Sequence, residues 1–169
     1  MLGLLVARSS FADHYVVPSG SMEHTLHPGD RVFVDKRAYG LRVPFTLARI
    51  TAGEAPARGD VVVFDAPDSG TRLIKRIVAV GGDVLEVRGG HVTVNGAPGD
   101  ERAALELRQG GGPDAGPLRV PEGHVFVMGD FRGNSRDSRS FGFVRADGIY
   151  AKATRVYYRS GDGLVWLPL

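Results

Sequence analysis

The chain of 169 residues contains no cysteine. Disulfide bonds, thiol catalysis and cysteine-ligated metal sites are therefore excluded, while the cellular compartment stays open. The chain also lacks a block of like charge, because 21 Lys and Arg residues stand against 19 Asp and Glu residues. The formal net charge is only +2. Without a basic patch, charge gives little support for a nucleic-acid partner.

Long apolar runs are missing as well. Residues 1–7 are apolar and are followed by Arg8. This run is about a third of the ~20 residues that a membrane-spanning helix needs. It lacks the basic start and the small-residue cleavage site of a secretory signal. Two interpretations remain: an ordinary amphipathic segment, or the end of a membrane helix.

Long helical periodicity is absent, and short β-branched runs bounded by turn residues recur instead. Such runs are typical of β-strands joined by tight turns. They lie at residues 15–17, 31–34, 60–64, 73–80, 84–87, 91–94, 125–128 and 155–158. Arg88-Gly89-Gly90 predicts a hairpin loop, and the glycine-rich residues 99–116 predict an exposed loop or flexible connection. The sequence therefore predicts a mainly antiparallel β fold.

A turn after the first predicted strand presents a candidate nucleophile. Residues 17–26 read VPSGSMEHTL, so the chain turns through Ser19, Gly20 and Ser21. A hydroxyl in such a turn is expected to be exposed and fixed. Neighbouring backbone N–H groups can converge on one point, as an oxyanion site requires. A turn that only caps the next element is the alternative.

Histidine is the usual base for a serine nucleophile, but none of the five histidines lies in a context that marks it as one. His24 and His27 are three residues apart, and Glu23 does not complete a His-Glu-x-x-His zinc motif. The sequence therefore predicts surface histidines and no metal site.

Lys75 is a better candidate base. Strand alternation places it on one face with Leu73 and Ile77, while Arg76 projects on the other face among Ile74 and Val78. An amine must be neutral to accept a proton, and desolvation lowers its pKa from about 10.4. Reaching ~7 requires about 4 kcal/mol against the charged form. The alternative is an edge-strand lysine that discourages aggregation.

A third segment, residues 128–144, packs charges, glycines and hydroxyl groups behind an apolar strand. The hydroxyl of Ser135 is suited to hold a neutral amine without protonating it. An ion pair between Asp137 and Arg139 would make the segment rigid. The alternative is a polar hairpin loop with surface ion pairs, which contribute little individually.

Taken together and in this order, the three segments resemble those of type I signal peptidases. The match runs through PSGSM at residues 18–22, KR at 75–76 and GD at 82–83. In the third segment it covers GD at 129–130, Arg132, NS at 134–135 and DSR at 137–139. It spans about residues 15–144, which is most of the chain. Three motifs in register make the resemblance specific.

The resemblance implies a role for each matching residue. Ser21 would attack the scissile carbonyl, and Lys75 would take its proton and pass it to the leaving amine. The Ser21 N–H and the Ser19 hydroxyl would stabilise the oxyanion, and Ser135 would orient the amine. Asp137 and Arg139 would brace the loop. Shallow apolar pockets would accept small substrate side chains, typically alanine at the first and third positions before the cut. The residues that would line them are Tyr15, Val17, Val32 and Ile74.

The family fold implied is an antiparallel β catalytic core with a smaller inserted β extension. We expect the core at residues 15–82 and 122–169, the extension at 83–121, and the end of a membrane anchor at 1–14. The implied location is the bacterial cytoplasmic membrane, with the catalytic domain on the outer side. The implied partners are signal-peptide-bearing preproteins and the lipid surface, with no nucleic acid, metal or cofactor.

The sequence departs from the family pattern at His24, Gly81, Phe131 and Gly133. The first two replace common prolines, and the last two replace an asparagine and an aspartate. None alters Ser21, Lys75 or Ser135, so the expected effect is on rate. The alternatives are another Ser/Lys protease, such as a conjugative-transfer peptidase or a self-cleaving repressor, and an inactive β domain that only binds signal peptides.

Overall fold

The computed structural model describes residues 12–40, 53–99 and 110–169. The predicted anchor residues 1–11 and the middle of the predicted loop, 100–109, lie outside the described residues. Within these ranges the chain forms twelve strands, and all of their pairings are antiparallel. The strands are β1 Ala12–Val16, β2 Arg31–Asp35, β3 Val61–Asp65, β4 Arg72–Val80, β5 Val84–Arg88, β6 His91–Val94, β7 Ala97–Pro98, β8 Ala115–Arg119, β9 His124–Met128, β10 Val144–Arg145, β11 Ile149–Arg159 and β12 Gly163–Pro168. The predicted mainly antiparallel β fold is confirmed.

The larger sheet has the order β1-β2-β11-β3-β4-β9-β10, and β12 also pairs with β11. Its central strands carry continuous apolar runs, and four residues of β3, Val61 to Phe64, are buried. A strand that is buried on both faces favours such a run over strict alternation. This sheet places β4, which carries Lys75, between β3 and β9.

The smaller sheet has the order β7-β6-β5-β8. Strands β5 and β6 form the predicted hairpin, with Arg88 opposite His91 across the loop. The sheet lies within the range for which an inserted extension is predicted, and the division into core and extension stays a prediction. The predicted loop is wrong at its end, because Ala115 begins β8 and pairs with Val87. The glycine and proline within β8 conceal this strand in the sequence pattern.

The two sheets share one apolar cluster. Val78 and Ala79 of β4 and Phe126 of β9 pack there with residues of the smaller sheet. The members from the smaller sheet are Leu85, Val87, Val92 and Val94. Because large buried side chains contribute about 1.5–3 kcal/mol each, this cluster fixes the smaller sheet against β4 and β9.

The N-terminal end of the described chain is a strand. Strand β1 begins at Ala12, so residues 12–14 of the predicted anchor segment belong to the larger sheet. Within the described ranges, no helix combines the length and the apolar character needed to span a bilayer.

Candidate active site

Ser21 lies in a short 3-10 turn, Gly20–Met22, which follows β1. Two backbone hydrogen bonds fix the base of this turn: Val17 donates to the Asp30 carbonyl at 2.9 Å, and Gly29 donates to the Val17 carbonyl at 2.9 Å. Met22 is fully buried in the apolar cluster below. The exposure predicted for Ser21 is wrong, since the residue is only 7% exposed. The reason is that Lys75 and Gly129 pack against it.

Lys75 reaches this turn from the middle of β4. Its Nζ atom lies 2.5 Å from Ser21 Oγ, which is within proton-transfer distance. The residue is 3% exposed. Burial lowers the pKa of Lys75 to about 8, although the charges of Asp137 and Asp130 oppose the shift. A substantial fraction of the amine is therefore neutral near pH 8 and able to accept a proton.

The two carboxylates near Lys75 are each paired with a guanidinium group. Asp130 is fully buried and binds Arg76 through Nε at 2.9 Å and Nη2 at 2.6 Å. Asp137 binds Arg139 through Nε and Nη2, both at 2.8 Å. Such paired contacts neutralise a carboxylate locally. Desolvation by burial outweighs the two negative charges, so the pKa of Lys75 stays below its ordinary value.

Ser135 lies beside the turn, at Gly129. A Cβ atom built on Gly129 would be 2.3 Å from Ser135 Oγ and 2.4 Å from the Ser21 carbonyl oxygen, so only glycine fits between them. Ser135 Oγ is buried, and among the described residues it neither donates nor accepts a hydrogen bond. The orienting role of Ser135 toward Lys75 therefore stays a prediction.

Ser19 is exposed, and its hydroxyl donates to Ser21 Oγ at 3.3 Å. It therefore lies beside the oxygen that would attack a substrate. The four residues predicted to line substrate pockets also come together in the structure. Val17, Val32 and Ile74 are at most 3% exposed in one cluster, and Tyr15 packs against it.

Sequence reasoning gave no role to Arg76, Asp130 and Thr25. The structure joins them, because Thr25 donates to Asp130 Oδ2 at 2.6 Å while Arg76 binds the same carboxylate. Thr25 thereby ties the chain just after Ser21 to the third segment. One signal was present in the sequence: Arg76 interrupts an otherwise apolar strand face, and a buried charge requires a partner.

Two departures from the family pattern lie close to Ser21. Phe131 is 4% exposed, and its N–H donates to the Ser21 carbonyl at 3.2 Å. The His24 ring lies 6.5 Å from the Phe131 ring, measured between centroids. Arg132, the neighbour of Gly133, donates to the backbone carbonyls of Gly129 and Gly90.

Comparison with known proteins identifies the family to which this chain is similar. The family model described as "Signal peptidase, peptidase S26" matches residues 1–158. A probable signal peptidase I-1 of Synechocystis sp. is 37% identical over 157 residues, which cover 88% of this chain and 72% of that protein. Signal peptidase I of Pseudomonas fluorescens is 34% identical over 192 residues, covering 91% of this chain and 67% of that protein.

Among solved structures, a crystal structure of a signal peptidase I from Enterococcus faecalis V583 matches with a TM-score of 0.48 and 26% identity. The match covers 66% of this chain and 97% of that one. The family match and the two relatives confirm the resemblance given by the three motifs. The chain therefore belongs to the signal peptidase family, peptidase S26.

Proposed function

We propose that this protein is a serine endopeptidase that removes N-terminal signal peptides from preproteins, with Ser21 as the nucleophile and Lys75 as the general base. The observation that carries the proposal is the buried amine 2.5 Å from the serine hydroxyl. A pKa of about 8 for Lys75 supports it, because a general base works best when its pKa is near the operating pH. Family membership supports the substrate class.

The proposed reaction has two steps. Neutral Lys75 takes the proton of the Ser21 hydroxyl as Oγ bonds to the scissile carbonyl carbon. The C–N bond then breaks, and the ammonium of Lys75 gives its proton to the departing amine. Water attacks the acyl-enzyme with Lys75 again as base, which releases the signal peptide and restores Ser21.

The other site residues have supporting roles in this proposal. The Ser21 N–H and the Ser19 hydroxyl stabilise the oxyanion, and Ser19 lies close enough to Ser21 Oγ to take part. Ser135 orients the amine by means of its buried hydroxyl. The ion pair between Asp137 and Arg139 holds the chain on the far side of Ser135.

The proposed preference for small residues rests on the pocket residues. Val17, Val32 and Ile74 are at most 3% exposed, and Tyr15 is the partly exposed member of the four, so little depth is open to a large side chain. Alanine at the first and third positions before the cut fits such a surface. A large aromatic side chain there requires the core to open, and overpacking typically costs about 1–3 kcal/mol.

Cleavage of a preprotein with Ala-x-Ala before its mature N-terminus tests this function. We expect one cut after the second alanine, and phenylalanine at that position should lower kcat/KM at least about tenfold. Ser21→Ala serves as the blank for contaminating protease, and Ser160→Ala, at an exposed turn, is the matched active control. If wild type leaves the preprotein uncleaved both in detergent and in lipid, the proposed function is contradicted. The alternative of an inactive domain that only binds signal peptides then remains. Cleavage restricted to pilin-type precursors would favour a conjugative-transfer peptidase.

We also propose that the domain lies on the outer surface of the bacterial cytoplasmic membrane. On β12, Leu164 is 86% exposed and Trp166 is 61% exposed, and alternation puts both on one face. The Trp166 ring contacts Phe33 at 5.6 Å, and Phe33 contacts Tyr157 at 4.6 Å. An exposed aromatic surface of this kind suits the interfacial region of a bilayer.

Trp166 is the single tryptophan of the chain, so its fluorescence reports on this surface directly. We expect a blue shift of the emission when vesicles of phosphatidylglycerol and phosphatidylethanolamine are added, because the indole leaves water. Leu164→Asp should weaken vesicle binding at least about fivefold. Leu118→Asp, on the smaller sheet and 38% exposed, is the matched control. Equal binding by the two variants would rule this surface out.

A further inference from the structure

We infer that the smaller sheet, together with the segment before β8, is a positioning element for the catalytic centre, because the backbone carbonyls of Gly90 and Gly111 hold the two arginines that fix the Ser135 segment. This inference rests on the proposed function. It gives two glycine-rich parts of the chain, the β5–β6 loop and residues 111–112, which lead towards β8, a role in the reaction itself.

Arg132 forms the first link. The residue is 1% exposed, and its Nη1 donates to the Gly90 carbonyl in the β5–β6 loop at 2.7 Å. Its Nε donates to the Gly129 carbonyl at 3.1 Å. Gly129 is the residue that packs between Ser21 and Ser135. One buried guanidinium therefore spans from the hairpin loop of the smaller sheet to the backbone beside the nucleophile.

Arg139 forms the second link. Its side chain is fully buried, and its Nη1 donates to the Gly111 carbonyl at 2.6 Å. Its Nη2 donates to the Arg132 carbonyl at 2.7 Å, and the same guanidinium pairs with Asp137. Asp137 in turn accepts from the Gly129 N–H at 3.1 Å. The two arginines thus belong to one hydrogen-bonded network that ends at Gly129.

The two glycine-rich parts also support each other. A Cβ atom on Gly111 would be 2.0 Å from the carbonyl carbon of Gly89, so the backbone of residue 111 lies directly on the hairpin loop. A buried guanidinium that loses a hydrogen-bond acceptor is destabilised, because its desolvation is no longer compensated. Displacing residues 111–112 should therefore move Arg139, and with it Asp137.

A shift of Arg139 has a consequence that can be measured at Lys75. The charged groups that act on the Lys75 amine are Asp137 and Asp130, which are paired with Arg139 and Arg76. Weakening the pair of Asp137 with Arg139 exposes Lys75 to more negative charge. Negative charge favours the ammonium form, so the acid limb of the pH profile should move to higher pH.

Two neighbouring glycines provide a matched test. Gly112 has φ +72°, and a Cβ atom there would be 2.6 Å from Arg139 Nη1 and 2.7 Å from the Arg132 carbonyl oxygen. Gly110 has φ +62°, and a Cβ atom there meets nothing within 4 Å. Gly112→Ala and Gly110→Ala therefore carry a similar backbone penalty, of about 1–2 kcal/mol. Only the first displaces the arginine network.

We expect Gly112→Ala to lower kcat at least about tenfold with KM changed less than about twofold, since misplaced groups affect the chemical step. The acid limb of its pH–rate profile should move to higher pH. Gly110→Ala should keep the pH–rate profile and the kcat of wild type. If Gly112→Ala does not fold, as judged by thermal unfolding, Arg132→Lys replaces it. That variant keeps the charge but loses the fork that reaches Gly90, and it should show a reduced kcat.

The outcomes separate the two proposals. The positioning role is overturned if wild type cleaves but Gly112→Ala has the same kcat and pH profile as Gly110→Ala. The same holds for Arg132→Lys where it replaces Gly112→Ala. If wild type cleaves no better than Ser21→Ala, the proposed function itself fails.

Discussion

Alanine in place of Lys75 is expected to lower kcat/KM for preprotein cleavage by at least about 10³-fold, and alanine in place of Ser21 to do the same. The hydroxyl is a weak nucleophile unless a base takes its proton, and Lys75 Nζ lies 2.5 Å from it. Because the two groups act as one unit, the double variant should lose no more than either single variant. Losses that multiply in the double variant would contradict a shared proton transfer.

Lys152→Ala is the matched lysine control. Lys152 lies on β11 and pairs with Asp60 at 2.6 Å, and the two side chains are 31% and 11% exposed. It should keep kcat/KM within about twofold of wild type, since partly exposed ion pairs contribute little. A similar loss in both lysine variants would mean that Lys75 acts only through stability.

The same amine should set the pH dependence of the wild-type enzyme. Burial lowers the pKa of Lys75 to about 8, so the amine is increasingly protonated as the pH falls below that value. In the protonated form it cannot accept the serine proton. The kcat/KM should therefore fall about tenfold for each pH unit on the acid side and level off above about pH 8. A flat profile between about pH 6 and about pH 9 would contradict Lys75 as the base.

Local patterns in the sequence were sufficient to predict most of the fold. Alternating runs such as that of β6 and the glycine loop after Arg88 depend on neighbours along the chain, so they indicate strands and turns directly. Strand β8 did not follow this rule, because its pairing with β5 overrides the poor strand propensity of Gly116 and Pro117. Strand β12 was missed as well, and it is formed by pairing with β11.

The residues of the candidate site likewise fall into those that local sequence marks and those that only the tertiary fold brings together. Ser21 and Lys75 are marked by their own surroundings, a serine in a tight turn and a lysine on an apolar strand face. The partner of Arg76 is not marked, because Asp130 lies 54 residues away and the pairing depends on β4 lying beside β9. Contacts between the two sheets, such as that of Arg139 with Gly111, are likewise a property of the tertiary fold.

The buried pair of Arg76 and Asp130 should dominate the stability of the site. Their side chains are 1% and 0% exposed, and Asp130→Ala removes the carboxylate that Arg76 binds through two N–H groups. Breaking a buried ion pair on one side typically costs about 3–5 kcal/mol. We expect a loss of that size in the free energy of unfolding, measured by urea denaturation.

Two further variants make this prediction specific. Asp65→Ala breaks an ion pair with Arg72 whose side chains are 52% and 43% exposed, and it should cost less than about 1 kcal/mol. Asp130→Ala combined with Arg76→Met removes the buried charge together with its partner, so it should recover part of the lost stability. If Asp130→Ala costs no more than Asp65→Ala, the buried pair does not stabilise the fold.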